Sequence, residues 1–314
     1  MIEHIDFLEI KQKLIKKGVP AGDIKLGEPL SQYTSFKVGG PADLFIEPGS
    51  VEELKLALTL LREMGISTFI LGKGTNLLVS DLGIRGAVIR VGEKIAEISI
   101  EGESVIAEAG CLLSILSKTV AREGLTGIEF ASGIPGTLGG GLAMNAGAYD
   151  GELSCFVEWV EVLDENLEIR RLCRDEMDFA YRHSCLEEKG YIALKCGMKL
   201  QPGEKDEIDG KMNDFAERRR TKQPLTLPSA GSTFKRPAGS FAGKLIEEAG
   251  LRGYRHGGAS VSELHCGFVV TDGESSATEI YELIQFIKAK VQEHSGVLLE
   301  PEVKMVGEFA CSLE

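Results

Sequence analysis

The sequence is poor in positive charge: 35 Lys and Arg stand against 48 Asp and Glu, a net charge of −13. So acidic a chain is not built to hold nucleic acid or an anionic membrane surface, and any anionic ligand must be met by local cations or main-chain donors. A disulfide pattern is missing too. The seven Cys are odd in number, run from Cys111 to Cys311 and never form C-x-x-C, which excludes a disulfide framework and a structural zinc site and suits a reducing compartment. No apolar run approaches the ~20 residues of a membrane span. The opening MIEHIDFLEI carries acids where a secretion signal carries bases, so a cytoplasmic protein is expected. No serine lies in G-x-S-x-G, which removes the usual serine-hydrolase reading, and no internal repeat is present.

What is there is a 314-residue chain, 43% hydrophobic and 26% charged, long enough for two or three units with real cores. HIDFLEIKQKLIKKG predicts a short amphipathic helix with Ile5, Leu8, Leu14 and Ile15 as its apolar residues, stopped at Gly18. DLFIEP, the helix SVEELKLALTLLREMG with Ser50 and Glu53 as a capping box, and TFILG predict a strand–helix–strand unit. AVIRV, EISI and SVIAEAG predict strands, CLLSILSKTVAREG a helix, and VEWVEVLDENLEIRRL a hairpin turning at Asp164–Asn166. YIALKCGMKL is a further strand, and the polar QPGEKDEIDG is the expected domain boundary. Beyond it come a basic helix through Arg218–Arg220, the helix AGKLIEEAG, the strand GFVVT and a helix from Ala277 to His294. That last helix is expected to start on a Ser276/Glu279 capping box and to bury Ile280, Leu283, Ile284, Ile287 and Val291.

Glycine is abundant, with 38 copies gathered in short blocks that suit backbone-lined loops. Gly72-Lys-Gly-Thr-Asn76 leaves a strand where phosphate-binding loops lie, yet fits neither a Walker loop nor G-x-G-x-x-G. A plain tight turn is the alternative. ASGIPGTLGGGLAMNAGAYDGE places seven glycines between Gly133 and Gly151 beside Ile134, Leu138, Leu142 and Met144, which call for burial. Buried glycine-rich backbone admits something flat and large, such as an isoalloxazine ring with its pyrophosphate; close helix packing on small residues is the competing reading. In PSAGSTFKRP, two prolines and Gly231 fix the backbone around Ser232, either to hold its hydroxyl for chemistry or simply to close a turn.

These blocks occur in an order that resembles a known family. YTSFKVGGPAD, LGKGTNLLVSD, GLTGIEFASGIPGTLGG with MNAGAYDGE, FAYRHS, PSAGSTFKRP, AGKLIEEAGLRG and GVLLEPEVK follow one another as in the UDP-N-acetylenolpyruvoylglucosamine reductases, from about Tyr33 to Val306. The resemblance implies an α+β chain: a two-subdomain FAD-binding fold like that of vanillyl-alcohol oxidase, followed by a C-terminal α+β substrate domain. The expected segments are an N-terminal helical piece, 1–32, two FAD-binding subdomains, 33–92 and 93–204, and a substrate domain, 205–314. It implies FAD, NADPH as hydride donor and the enolpyruvyl ether of UDP-N-acetylglucosamine as substrate; the FAD is expected to be non-covalent, no nucleic-acid or membrane partner and no metal is expected, and no protein partner is implied.

By the same resemblance, Ser232 gives a proton while Arg182 and Glu302 flank the substrate carboxylate. Gly72, Lys73, Gly74, Thr75, Asn76 and Leu77, with Gly133, Ile134, Pro135, Gly136, Gly139, Gly140, Asn145, Ala146 and Gly147, would hold the flavin nucleotide. Tyr149, Lys222 and His265 would touch substrate, although a core role suits His265 equally. Arg218–Arg220 read as mostly surface charge at a helix C-terminus, and Cys266 as a small hydrophobe. Tyr33, Arg236 and Thr271 replace an Asn that is frequent at each place. The short CLEEKG after FAYRHS resembles the branch without an inserted substrate-covering loop. An oxidase of the same fold, or a flavin or nucleotide-sugar sensor, are the rival functions. Flavin-tethering oxidases use a His or Cys near the first glycine loop, and neither residue occurs between His4 and Cys111.

Overall fold

Three helices in this chain begin where a side chain supplies an acceptor for the first free amides. The Asp6 carboxylate takes the N–H groups of Leu8 and Glu9 to open Phe7–Lys17, which ends on Gly18 at φ 113°. Ser50 Oγ accepts from the Glu53 amide at 3.1 Å to open Val51–Glu63. The predicted capping box is half made, because the Glu53 carboxylate reaches past Ser50 and takes the Gly49 N–H at 2.7 Å. At Ala277–Ser295 the box of Ser276 and Glu279 is complete.

The computed structural model describes residues 5–309, and packing divides them into two units. One gathers the stretch ending at Leu26, Leu44–Lys73 and Gly86–Glu217. Its antiparallel sheet runs Ile169–Cys173, Val157–Leu163, Ile192–Lys199, Ser104–Glu108, Ile98–Glu101. Alternation sets its faces: Val105 and Ala107 are fully buried while Ser104 and Ile106 are exposed. At Gly197 a Cβ would lie 2.1 Å from the Trp159 ring, so glycine is what lets the indole lie flat across the neighbouring strand. The short helix Leu138–Ala143 rests on Ile192–Lys199 and Ser104–Glu108, with Leu138 and Leu142 in the core. A second sheet, of order Ile24–Pro29, Pro41–Ile46, Ile84–Arg90, Thr68–Leu71, pairs its last two strands in parallel.

The other unit gathers Gly27–Asp43, Gly74–Arg85 and the chain from Arg218 onward. It packs Ala277–Ser295 against the strands Arg255–His256, Ala259–Val261 and Val269–Thr271, with Ala242–Glu248 beside it. Ile280, Leu283, Ile284, Ile287 and Val291 are wholly buried, as the periodicity predicts. At roughly 1.5–3 kcal/mol per buried side chain, this stripe outweighs any cap; capping decides where the helix starts.

These units regroup the four expected segments. Gly74–Arg85 joins the C-terminal part because Leu77–Val79 pairs in parallel with Lys304–Val306. Asp81 also caps the long helix, taking the N–H groups of Ala277 and Thr278 at 2.8 and 2.9 Å and the Thr278 hydroxyl at 2.7 Å. The expected boundary at QPGEKDEIDG is structured as well. Gln201–Pro202 pairs with Leu125–Thr126, and the helix Lys205–Lys222 follows, its Ile208 buried. In the N-terminal helix the buried pair is Ile10 and Leu14; Ile5, Leu8 and Ile15 stay exposed, because only the 10/14 stripe and Phe7 face the core.

Asp81→Ala removes the carboxylate that accepts three hydrogen bonds at one helix start and should lower stability by about 1–2 kcal/mol, read as a lower urea midpoint at unchanged slope.

Candidate active site

Two glycine loops meet in the first unit. A Cβ on Gly72 would lie 2.5 Å from Thr137 Oγ1, so only glycine lets the loop after Thr68–Leu71 approach the block around Thr137 so closely. The N–H groups of Gly72, Lys73, Gly136 and Thr137 find no acceptor among the described residues. Four such donors on two touching loops fit the pyrophosphate of a flavin nucleotide, and Gly133, Pro135 and Gly140 lie exposed nearby in sequence with no bulky polar side chain in the way. The packing alternative holds for other glycines of the same block. Gly139 abuts Ala109, to whose carbonyl its amide donates at 2.7 Å, and Gly141 fits between Leu113 and Leu153.

Asn145 joins this block to FAYRHS. Buried at φ 41°, it accepts the Ser154 N–H at Oδ1 (3.0 Å) and donates from Nδ2 to the Ala180 carbonyl (3.2 Å), so its side chain is spent inside the protein. Ser184 Oγ adds a bond to the Ala143 carbonyl at 3.0 Å. Between these anchors Ala180 and His183 exchange both backbone bonds, which leaves Tyr181 and Arg182 at the apex of a tight turn. Arg182 is half-buried at φ 55°, a left-handed position that costs a non-glycine residue energy, and its guanidinium lies over the Tyr181 ring at 5.1 Å. Ala146 and Gly147 are likewise engaged internally: the Ala146 amide bonds the Gly141 carbonyl, and Gly147 pairs with Glu152. Tyr149 stacks on Phe215 with centroids 4.5 Å apart, its hydroxyl donating to the Phe215 carbonyl at 3.3 Å.

In the second unit, Ser232 is exposed while its neighbour Thr233 is fully buried. Gly231 turns the chain at φ 80°, and Pro228 is fastened by the Thr271 amide to its carbonyl at 3.0 Å. The Glu302 N–H donates to the Thr233 carbonyl at 2.8 Å, and Phe234 bridges Pro301, so the segments of Ser232 and Glu302 run side by side. Asn76 secures Glu302 from the other side, donating from Nδ2 to its carbonyl at 3.0 Å and accepting the Lys304 N–H at 3.0 Å. At Gly74, φ 67°, a Cβ would sit 1.9 Å from the Tyr33 carbonyl oxygen, so glycine is required there twice over. Thr75 is half-buried beside it, and Leu77 is buried in its strand.

His265 is half-buried, its Nδ1 accepting the Gly267 N–H at 3.1 Å and its ring edge-on to Phe268. Burial, and then the nearby Arg252 charge, hold its pKa below 6.5, against a backbone bond that acts the other way. Burial likewise raises the Cys266 thiol, which packs in the core. Lys222 is exposed at the end of its helix. Of the three replaced asparagines, Tyr33 donates to Glu28 at 2.7 Å, Arg236 lies over the Phe241 ring, and Thr271 is buried with its hydroxyl toward the Phe36 carbonyl. The tasks of Asp81, Thr233 and Asn76 were not foreseen, although all three lie in LGKGTNLLVSD or PSAGSTFKRP, because each depends on a partner distant in sequence.

Residues 42–172 match the FAD binding domain, and residues 223–306 match the C-terminal domain of UDP-N-acetylenolpyruvoylglucosamine reductase. The reductase of that name from Clostridioides difficile is 52% identical over 91% of this chain and 94% of its own length, and that of Alkaliphilus oremlandii 50% identical over 94% and 97%. The chain belongs to the UDP-N-acetylenolpyruvoylglucosamine reductase family. The crystal structure of the Thermus caldophilus reductase aligns with a TM-score of 0.77 at 36% identity, covering 90% of this chain and 98% of that one. Membership makes this an FAD-binding oxidoreductase of peptidoglycan precursor synthesis and establishes the expected two-part fold class.

Gly72→Ala should force the two loops apart and lower FAD affinity at least about tenfold. Flavin absorbance per chain after gel filtration, with circular dichroism to confirm folding, measures it.

Proposed function

We propose that this chain reduces the enolpyruvyl group of UDP-N-acetylglucosamine enolpyruvate to the lactyl ether, with NADPH as reductant and Ser232 as proton donor, in the cytoplasm. FAD, when bound, would supply the hydride chemistry that links NADPH to the terminal carbon of the enol ether. The chain has two tasks: to hold the negative charge that collects on the adjacent carbon and its carboxylate, and to protonate that carbon. Arg182 is suited to the first by its permanent charge and braced turn, and the role we assign to Glu302 is to polarise the carboxylate. The second falls to the Ser232 hydroxyl.

The observation that carries this reading is the contrast between Ser232 and Thr233. An exposed hydroxyl stands on a peptide whose next residue is buried and bonded through its amide, carbonyl and side chain. A serine is a weak acid and serves only if it is held against the forming carbanion, so rigidity of this kind is what the chemistry asks for. Gly72, Lys73, Gly136 and Thr137 are the donors we assign to the flavin pyrophosphate; Gly133, Ile134, Pro135 and Gly140 would line the same nucleotide, and Gly74, Thr75 and Leu77 complete the first loop. Exposed Lys222 suits a phosphate of UDP or NADPH. Because no helix among the described residues is long and apolar enough to cross a membrane, nothing in them opposes work in solution.

Ser232→Ala should leave reduction of the flavin by NADPH within about twofold of the parent while slowing its reoxidation by substrate by about 10³-fold or more, since only the second step needs the proton. Stopped-flow absorbance of the two half-reactions measures both. Fast reoxidation by oxygen with none by the enolpyruvyl substrate would favour an oxidase instead.

A further inference from the structure

Thr233 is wholly buried, and four hydrogen bonds converge on it. Its amide donates to the Gly267 carbonyl at 2.9 Å; its Oγ1 accepts the Val269 amide at 2.9 Å; its carbonyl accepts from Glu302 at 2.8 Å and from Val303 at 3.4 Å. Behind Gly267 stands His265, whose Nδ1 accepts the Gly267 N–H at 3.1 Å. The His265 turn, the Ser232 loop and the Glu302 strand are thus one connected network with Thr233 at its centre, and no bond in it uses the Ser232 hydroxyl.

We infer that Thr233 is a positioning residue for proton delivery, fixing the Ser232 hydroxyl relative to Glu302, and that His265 serves as its brace through Nδ1. This rests on the reading of Ser232 as proton donor. It moves His265 from substrate contact to support. Two further features fit a brace. Glycines at 243 and 267 close over the ring: a Cβ on Gly267 would come within 3.0 Å of Cε1, and one on Gly243 within 3.3 Å. Burial also keeps the ring unprotonated near neutral pH, which leaves the Nδ1 lone pair free to accept. The Oγ1 bond is the part a side-chain change can remove. Without it, the buried Val269 amide loses its acceptor and the loop its tie to the strand Val269–Thr271, and a shift of about 1 Å in a reacting group can cost on the order of 100-fold in rate.

The test uses the FAD-loaded enzyme, its two half-reactions followed separately by flavin absorbance. Thr233→Val keeps the shape and removes the acceptor; Thr233→Ser keeps the acceptor. Flavin reduction by NADPH should stay within about twofold in both, while reoxidation by the enolpyruvyl substrate falls about 10- to 100-fold in the valine variant and recovers to within about threefold in the serine variant. The loss should lie in the maximal rate, with half-saturation little changed. Should Thr233→Val not fold, the histidine pair decides. His265→Asn offers an oxygen near the place of Nδ1 and should work, whereas His265→Gln, which mimics Nε2, should reoxidise slowly. Parent-like reoxidation in a folded Thr233→Val, equal slowness in Thr233→Ser, or Gln outperforming Asn at 265 would each overturn the inference. Parent-like reoxidation in Ser232→Ala would instead remove the proton-donor reading, a separate outcome.

Discussion

The chemistry assigned to the C-terminal unit depends on one backbone bond, from the Glu302 amide to the Thr233 carbonyl. A serine hydroxyl reaches barely two bonds beyond its own main chain, and a glutamate on a separate segment is useful to it only if the two backbones are registered. Together with the bond from the Lys235 amide to the Glu300 carbonyl, the Glu302–Thr233 bond forms the Phe234–Pro301 bridge, and Asn76 grips Glu302 as well. Main-chain bonds, with one side-chain amide, therefore set how the Ser232 and Glu302 segments lie against each other.

Glycine serves two distinct purposes here, and composition alone does not separate them. Gly139, Gly141 and Gly197 are small so that protein can press on protein: the Trp159 ring leaves no room for a Cβ at 197, while Ala109 at 139 and the Leu113 and Leu153 side chains at 141 would have to give way by a few tenths of an ångström. Gly72 is small so that two loops can touch, with amides around the contact left available to an anion. In an acidic chain this second use matters, because main-chain N–H groups attract phosphate without the long, flexible side chains that a cluster of lysines would have to order.

Local signals were legible where local physics decides. The 276–279 capping box, the five-residue stripe of the last long helix and the hairpin turn held by the Asp164 carboxylate all appear as the residues imply. Legibility failed where a residue's task is set by something far away in sequence. Glu53 bonds one residue further back than the motif predicts. QPGEKDEIDG has the composition of a linker, yet Pro202 can sit in an edge pair and Ile208 can anchor a helix. Asn145, expected at the flavin, has both ends of its amide occupied by protein, and Asp81 acts on a helix 196 residues away.

The parallel pairing of Leu77–Val79 with Lys304–Val306 also bears on how the molecule is made. Asn76 meets Glu302 across 226 positions of sequence, so a growing chain carries the 74–85 segment without its strand partner until residues 304–306 have been made. Domains tend to fold as they emerge from the ribosome. Here the unit bearing Ser232 must wait for residues 304–306, and a chain cut just before them would leave Leu78 and its neighbours bare to chaperones and proteases.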